Sequence, residues 1–279
     1  MRLRSLLFVP GDRSDRFAKA AASGADALIL DLEDSVAPER KADARKAVAD
    51  YLARERDLPL FVRVNPLASD HLDGDLASIL SAKPDGIVLP KAEGNLSIET
   101  LIARMGETPL PILPIATETP AAVFSLGSYK IVSHQLLGLT WGAEDLPAAI
   151  GAASAREENG RFTPPYELAR SLTLFAAHGA GVPAIETVFP DIADLGRLTA
   201  YVALARRDGF SAMMAIHPAQ VAVINAGFMP SAQEVEHAHA VVAAFQAAPG
   251  AGVVRLNGRM LDAPHLRQAR HILALMVAD

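Results

Sequence analysis

Residues 27–34 read Ala-Leu-Ile-Leu-Asp-Leu-Glu-Asp, and residues 60–65 read Leu-Phe-Val-Arg-Val-Asn. Each stretch is an apolar run that ends in charged or polar side chains. Such runs are typical of strands that are buried on both faces of a parallel sheet. The amphipathic residues 38–53 lie between them, where a crossover helix must connect two parallel strands. The two stretches therefore predict a β–α–β unit.

The same alternation continues along most of the chain. Eight apolar runs are identified, at residues 6–9, 27–32, 60–64, 86–89, 111–116, 136–141, 183–188 and 212–216. Helical patterns follow most of them. Eight such units fit a closed (β/α)8 TIM barrel of the α/β class, which we predict for residues 1–230. The alternative is an open doubly wound sheet, but no strand is followed by the Gly-x-Gly-x-x-Gly sequence expected there.

Composition narrows the class of protein. The 279 residues are 51% apolar, which allows a large core, and the net charge of −6 argues against a nucleic-acid-binding protein. The absence of cysteine excludes disulfides, cysteine zinc sites and thiol nucleophiles. The first apolar run is too short for a signal peptide, and prolines and charges interrupt the least charged stretch, residues 112–142. We therefore expect a cytoplasmic protein without a membrane segment.

A tail, residues 231–279, follows the predicted barrel. Residues 231–247 read as a helix with a capping box, in which Ser231 is the N-cap and Glu234 lies three residues on. A short strand at residues 253–256, a turn and a helix at 264–277 complete the tail. It could cover a barrel end or pack on a neighbouring subunit, and we favour the second interpretation.

Acidic side chains recur at the carboxyl ends of the predicted strands, where active sites lie in this fold. Glu118 and Asp145 close neighbouring strands, and two carboxylates suit Mg²⁺, although each could instead begin the next helix. Asp31 and Glu33 face one side of a strand and could orient metal-bound water or cap a helix. Glu144 adjoins Asp145, and we expect only Asp145 to point into the site.

Basic side chains near the strand ends allow several interpretations. Arg63 lies within a strand, and a buried guanidinium needs an anion, either a strand-end carboxylate or a substrate carboxylate or enolate oxygen. Lys91 could serve either purpose with less specificity. His217 precedes a proline and is expected to be structural.

Arg13, Arg16 and Lys19 cluster at the start of the first helix, after Pro10 and Gly11. A helix N-terminus beside basic side chains suits a phosphate, and the alternative is a solvated helix face.

Seven motifs together resemble those of one known family. In chain order they are Phe8-Val9-Pro10-Gly11, Asp31-Leu32-Glu33-Asp34-Ser35-Val36, Arg63-Val64-Asn65, Pro90-Lys91, Glu118-Thr119, Gly142-Ala143-Glu144-Asp145 and Ile216-His217-Pro218-Ala219-Gln220. Their order and spacing are similar to those of the citrate lyase β-subunit-like group of the HpcH/HpaI aldolase superfamily. That group includes malyl-CoA and citramalyl-CoA lyases and malyl-CoA thioesterases. The resemblance extends from Leu6 to about Ala274.

The resemblance implies a (β/α)8 barrel that binds Mg²⁺ and a CoA thioester and is usually a homotrimer or hexamer. It assigns Glu118 and Asp145 as metal ligands that also contact the substrate. It assigns Arg63 to substrate binding and to stabilising the thioester enolate. The residues that it assigns to the support of the metal's water shell are Asp31, Glu33 and Asp34.

Two further regions gain a role from the resemblance alone. Arg13, Arg16 and Lys19 match the region where CoA phosphates lie in relatives. In the lyases a C-terminal segment crosses to the next subunit and supplies a catalytic Asp. Residues 258–264 resemble that segment, with Asp262 at the catalytic position.

The predicted function is that of a Mg²⁺-dependent carbon–carbon lyase. It would cleave a malyl-, citramalyl- or citryl-CoA type thioester into acetyl-CoA, or another acyl-CoA, and a small 2-keto acid by reversible Claisen chemistry, with Asp262 as general base. The alternatives are a malyl-CoA thioesterase, a metal-dependent pyruvate-type aldolase that does not use CoA, a citrate lyase β subunit that needs carrier and transferase partners, and a CoA-binding protein without turnover. The long tail counts against the aldolase.

Overall fold

Eight parallel strands form one sheet in the computed structural model, which describes residues 3–107 and 109–277. The strands are β1 (Ser5–Pro10), β2 (Ala27–Asp31), β3 (Leu60–Arg63), β4 (Gly86–Leu89), β5 (Ile112–Pro114), β6 (Leu139–Thr140), β7 (Ala184–Glu186) and β8 (Ala212–Ala215). Their order is β5-β4-β3-β2-β1-β8-β7-β6. Parallel bridges from Ile112 to Leu136 and from Ile115 to Thr140 join β5 to the β6 region. The predicted (β/α)8 barrel is therefore confirmed.

Helices connect the strands on the outside of the sheet. They are α1 (Ser14–Ala21), α2 (Lys41–Leu52), α3 (Leu72–Ile79), α4 (Asn95–Met105), α5 (Pro120–Ser125), α6 (Asp145–Ile150), α7 (Pro164–Ala180), α8 (Leu195–Asp208) and α9 (Pro218–Gly227), with short 3₁₀ segments at Pro38–Arg40, Leu80–Ala82 and Leu126–Gln135. The sequence did not predict α6, because six residues are too few to show a helical period. In the described part of the chain, no helix is both long and apolar enough to cross a membrane.

Six of the eight strands are shorter than their apolar runs, and two of these, β5 and β6, precede Glu118 and Asp145. Pro111 precedes β5 and Pro114 is its last residue, and neither has an N–H to donate to a ladder. Pairing resumes beyond it, where Ala116 N–H donates to the carbonyl of Thr140 at 2.8 Å. β6 begins only at Leu139, since the 3₁₀ segment before it extends to Gln135. The sheet is thus least regular next to Glu118 and Asp145.

Apolar side chains fill the barrel interior. The inward set consists of Leu6, Ala27, Ile29, Phe61, Val88, Leu113, Ile115, Ile185, Ala212 and Met214. Side chains alternate along a strand, so the next inward positions toward the carboxyl ends of β1, β2 and β3 are Phe8, Asp31 and Arg63. The strands therefore direct one aromatic ring and two charged groups to the same end of the barrel.

The chain divides into two units, Leu3–Asn225 and the residues from 226 onward, and the second is described here by itself. It contains α10 (Ala232–Gln246), the antiparallel pair β9 (Val253–Leu256) and β10 (Arg259–Asp262), and α11 (Ala263–Val277). The capping box of Ser231 and Glu234 is confirmed. The sequence did not predict β10, because its four residues include two charged side chains. The unit has its own apolar cluster, which includes Val241, Val254 and Leu261.

Candidate active site

A carboxylate of the neighbouring strand holds the guanidinium at the end of β3. Arg63 Nε and Nη2 each donate to a different oxygen of Asp31 at 2.7 Å. Arg63 Nη1 lies 3.1 Å from Glu33 Oε2, and the Phe8 ring centroid lies 4.8 Å from Arg63 Cζ. An arginine has five N–H groups, and the hydrogen bonds to Asp31 use two of them. Glu33 Oε2 is buried without a hydrogen-bond partner, so its contact with Nη1 is an ion pair only. At least one N–H on each Nη therefore remains for another acceptor.

The Arg63–Asp31 pair is ionised. Burial alone would raise the pKa of Asp31, which is 1% exposed, but the charge and hydrogen bonds of Arg63 hold it below its usual value. Burial alone would likewise lower the pKa of Arg63, but the charge and hydrogen bonds of Asp31 outweigh burial and raise it. Asp31 also accepts from the backbone N–H of Glu33 at 2.9 Å and of Ser35 at 3.2 Å. Both its oxygens are thus engaged in fixing the orientation of Arg63.

Glu118 lies in a narrow, buried space after β5. Its Oε2 accepts from the backbone N–H of Lys91 at 2.5 Å, and the residue is 4% exposed. A side chain at Gly142 would overlap the Cγ of Glu118, so only glycine leaves room for this rotamer. Thr119 Oγ1 caps α5 by accepting from the N–H of Ala122. Glu118 is therefore not needed as a helix cap.

The environment of Glu118 favours a nearby cation. Burial raises the pKa of Glu118 to about 8; the hydrogen bond from Lys91 opposes this shift, and the charges of Asp145 and Glu33 add to it. A divalent cation at this carboxylate would oppose the shift and lower the pKa of Glu118, because it favours the ionised form.

Lys91 lies among the remaining acidic side chains. Its Nζ is 2.6 Å from Glu33 Oε1, 3.7 Å from Asp145 Oδ1 and 3.9 Å from Asp34 Oδ2. Burial opposes its charge, but the hydrogen bond and charge of Glu33 raise the pKa of Lys91 to about 12. Lys91 adopts the left-handed φ of 51°, an unusual conformation for a side chain other than glycine. This turn aims its N–H at Glu118 and its ammonium at the acidic side chains that follow β2 and begin α6.

The donor set fits a hard, hydrated cation. Glu118 and Asp145 offer carboxylate oxygens, the ligands that Mg²⁺ prefers, and Mg²⁺ usually keeps several waters. Asp145 is the first residue of α6, as its structural interpretation required, and its side chain is 34% exposed. Within residues 3–107 and 109–277, no group of three or more His, Cys, Asp or Glu side chains is arranged to hold a metal. A metal here would therefore rely on water and substrate oxygens for most of its ligands.

Two further polar residues, Glu186 and His217, lie at or just after strand ends but do not contact Arg63, Lys91 or Glu118. Glu186 faces away from Ile185 and the barrel interior, and it accepts from Trp141 Nε1 at 2.5 Å and from Arg170 Nε at 2.7 Å. His217 is exposed, and its Nδ1 accepts from the N–H of Ala219 at 3.2 Å. Both side chains therefore have structural partners.

The predicted CoA-binding residues belong to the region of α1, and the predicted base belongs to the second unit. Arg13 precedes α1 and pairs with Asp15 at 2.9 Å, while Arg16 and Lys19 are exposed on α1. Asp262 ends β10 in the second unit, where its Oδ1 is 2.6 Å from His265 Nδ1. That hydrogen bond, followed by the charge of His265, lowers the pKa of Asp262.

Sequence reasoning missed three contributions to the site. They are the Phe8 ring beneath Arg63, the backbone N–H of Lys91 and the space that Gly142 leaves for Glu118. Only the Phe8 ring could have been predicted from the sequence, because Phe8 lies two residues after Leu6 and therefore faces the same side of β1. The other two depend on contacts between separate loops.

Comparison with known proteins gives the family. A family model described as HpcH/HpaI aldolase/citrate lyase matches residues 4–218. The chain belongs to the HpcH/HpaI aldolase/citrate lyase family. This confirms the resemblance inferred from the seven motifs.

Relatives within the HpcH/HpaI family cover almost the whole chain. Citrate lyase subunit beta of Escherichia coli strain K12 is 35% identical over 283 residues, which cover 97% of this chain and 92% of that protein. The (3S)-malyl-CoA thioesterase of Cereibacter sphaeroides strain KD131 is 33% identical over 283 residues, with coverage of 97% and 93%. Protein CitE from Mycobacterium tuberculosis, solved in complex with magnesium, acetoacetate and coenzyme A, is similar with a TM-score of 0.86 at 31% identity, covering 98% of both chains.

Proposed function

We propose that this HpcH/HpaI family member is a Mg²⁺-dependent carbon–carbon lyase. It cleaves a 3-hydroxyacyl-CoA of malyl, citramalyl or citryl type into an acyl-CoA, such as acetyl-CoA, and a small 2-keto acid. The observation that carries the proposal is the barrel end itself, where Arg63 keeps two N–H groups available beside the carboxylates of Glu118 and Asp145. The magnesium and coenzyme A bound to the similar CitE support the assignment of metal and substrate class.

Glu118 and Asp145 would hold the Mg²⁺ in this proposal. When bound, the ion supplies a Lewis acid that polarises the keto-acid carbonyl and neutralises charge on its oxygen. Lys91 fixes Glu118 through its backbone N–H and balances the charge of Glu33 through its ammonium. Gly142 leaves the room that the Glu118 rotamer requires.

Arg63 would stabilise the enolate. In the condensation direction, Asp262 takes a proton from the acyl-CoA α-carbon. The C–H electron pair forms the C=C bond of the enolate, and the π electrons of the thioester carbonyl move onto its oxygen. The free N–H groups of Arg63 would donate to this negatively charged oxygen, because donors that are already oriented lower the cost of developing charge. The enolate carbon then forms a bond to the keto carbon, whose C=O π electrons move to the keto oxygen, and that oxygen takes a proton from solvent. Cleavage reverses each step, with Asp262 returning the proton to carbon.

The remaining proposed roles concern CoA and the assembly. Arg16 and Lys19, exposed on α1, would bind CoA phosphates together with Arg13. Asp262 would act in the site of a neighbouring subunit, which requires a homo-oligomer such as a trimer or hexamer.

Product analysis tests the proposal. The purified chain is incubated with acetyl-CoA and, separately, glyoxylate, pyruvate or oxaloacetate, each with Mg²⁺ and with EDTA, and the products are identified by mass spectrometry. We expect a Mg²⁺-dependent malyl-, citramalyl- or citryl-CoA from one pair. Products that form equally in EDTA would contradict the metal's role.

Hydrolysis of malyl-CoA is a second candidate, because the thioesterase relative is nearly as similar as the citrate lyase subunit. Water would then attack the thioester carbonyl in place of C–C cleavage. Incubation of malyl-CoA with the enzyme separates the two: a lyase releases glyoxylate and acetyl-CoA, whereas a thioesterase releases malate and free CoA.

A further inference from the structure

A second group of charged residues lies on the outside of the barrel. Five arginines line a cavity of about 430 Å³ between α7, α8 and the loop before α7. We call it the arginine cavity and define it by Arg156, Arg161, Arg170, Arg197 and Arg207. Only two acidic side chains, Glu167 and Asp208, share its lining. The lining therefore carries a net positive charge, although Arg161, Arg170, Arg197 and Arg207 each pair with a carboxylate.

The cavity lies on the opposite face of the sheet from the proposed active site. Arg170 reaches the strand through Glu186, which follows Ile185 in β7. Ile185 belongs to the barrel interior, so Glu186 and the arginine beside it face the helical layer. A ligand of the arginine cavity would thus not occupy the space beside Arg63 and Glu118.

Arg156 is a half-buried cation, and no carboxylate of the described residues forms an ion pair with it. Its Nη1 donates to the carbonyl of Gly160 at 3.1 Å, its guanidinium stacks on Phe162 at 3.8 Å, and its Nη2 is buried with no hydrogen-bond partner. Burial lowers the pKa of Arg156. Arg63 and Arg170 are more deeply buried, but carboxylates raise their pKa values. A partly buried charge without an ion-pair partner carries a desolvation cost, which indicates that an anion belongs beside Arg156.

Unsatisfied polar atoms concentrate on this cavity. In the described part of the chain, five buried side-chain N or O atoms lack a hydrogen-bond partner. Three of them, Arg156 Nη2, Arg170 Nη2 and Tyr201 Oη, belong to residues that line the arginine cavity. Arg170 is only 9% exposed. The Tyr201 hydroxyl has Glu186 beside it, whose charge helps to raise the pKa of Tyr201. Buried polar atoms in folded proteins nearly always have partners, so the two guanidinium nitrogens point to an acceptor in this cavity.

The loop before α7 brings the arginines together. Residues 156 and 162 form an antiparallel bridge, and Glu157 N–H donates to the carbonyl of Arg161 at 2.8 Å. Gly160 closes this turn with a φ of 81°, and a side chain there would collide with the guanidinium of Arg197. The loop thus depends on glycine to place Arg156 and Arg197 at the same cavity.

We propose that the arginine cavity is a binding site for an organic anion that carries at least two negative charges on phosphate or carboxylate groups. Arginine pairs with both groups through two N–H donors. Phe162, Phe189 and Tyr201 also line the cavity and would contact the apolar part of the ligand. Its volume lies in the range of small-molecule sites, roughly 300–1,000 Å³. The site is separate from the proposed lyase chemistry and does not depend on it.

The test measures binding of three probes by calorimetry: ADP as an organic phosphate, citrate as a polycarboxylate, and adenosine as the uncharged control. The chain has one tryptophan, Trp141, whose ring lies 4.9 Å from the Phe162 ring, so its fluorescence reports occupancy of the cavity. We expect ADP or citrate to bind at millimolar or lower concentration and adenosine to bind at least about tenfold more weakly. The anion that binds more tightly shows whether the site prefers an organic phosphate or a polycarboxylate.

Two sets of variants locate the binding. We expect the affinity for the anion to fall about tenfold in each of two variants, Arg156→Gln and Arg197→Gln. This is the loss expected for one charge-assisted hydrogen bond. Arg197 is 48% exposed, so its variant keeps the fold even if Arg156→Gln unfolds. Arg54→Gln, at an exposed position just after α2, is the matched control and should leave the affinity unchanged. The proposal is wrong if neither anion binds, if adenosine binds as tightly as ADP, or if Arg197→Gln has no more effect than Arg54→Gln.

Discussion

Replacing Gly142 by alanine tests how Glu118 is held. The new methyl group would overlap the Cγ of Glu118 and lie 3.2 Å from its Cδ and Oε1. Carbon atoms normally pack at about 3.5–4.0 Å, so Glu118 must move by on the order of 1 Å. A shift of that size in a positioning group costs on the order of a hundredfold in rate. We therefore expect Gly142→Ala to lose about two orders of magnitude in turnover and to bind Mg²⁺ more weakly.

The same substitution also overpacks the core, so a matched control is needed. Gly138 lies at the other end of β6, where an added Cβ would lie 2.8 Å from the carbonyl oxygen of Pro183 and 3.1 Å from Ile185 Cδ1. Each alanine should cost about 1–3 kcal/mol of stability. Tm falls by roughly 2–4 °C per kcal/mol in a chain of this size. Both variants should thus melt a few degrees lower.

The assay compares Tm, Mg²⁺ affinity by calorimetry and lyase turnover in the two variants. We expect Gly138→Ala to retain metal affinity and turnover near those of the unchanged protein. Equal turnover in Gly142→Ala and Gly138→Ala would refute the claim that Gly142 positions a catalytically important carboxylate.

Three further predictions concern the other site residues. The Arg63→Lys variant cannot form the two parallel hydrogen bonds to Asp31, so turnover should fall about 10²–10³-fold. Denaturant titration should show a decrease of about 1.5–3 kcal/mol in the free energy of unfolding, and unchanged kinetics would exclude a role of Arg63 in stabilising the enolate. Asp262→Asn should lower turnover about 10²–10⁴-fold in steady-state assays while Mg²⁺ affinity stays constant, and retained turnover would exclude it as the base. Arg16→Gln should raise KM for the CoA thioester, with a smaller effect in high salt, and leave kcat unchanged; an equal KM would place the CoA phosphates elsewhere.

The sequence predicted the barrel because burial on both faces leaves a direct signal. The runs that became β2 and β3 contain no polar residue before their ends, a pattern that is typical of strands in parallel sheets and uncommon in loops and surface helices. Asp31 and Glu33 both contact Arg63, but Glu33 lies beyond the end of β2, where strand alternation no longer applies. Short elements escaped prediction, since α6 and β10 are too brief to show a period.

The contacts within the site depend on register, which a single sequence does not specify. Arg63 bonds to Asp31 because these residues are direct partners in the pairing of β2 with β3. Glu186 also ends a strand, but its place on the outer face gives it Arg170 and Trp141 as partners. The roles of Gly142 and of the Lys91 N–H arise from loops that are distant in sequence.

Calorimetric titration with Mg²⁺ tests the central claim most directly. The unchanged protein is compared with Glu118→Gln, Asp145→Asn and the control Glu144→Gln, which alters the exposed neighbour of Asp145, after circular dichroism confirms that each variant is folded. Loss of a carboxylate ligand should weaken binding by at least about tenfold in the first two variants, and Glu144→Gln should bind normally. If Glu118→Gln and Asp145→Asn bind Mg²⁺ as tightly as the unchanged protein, the metal does not lie at this end of the barrel.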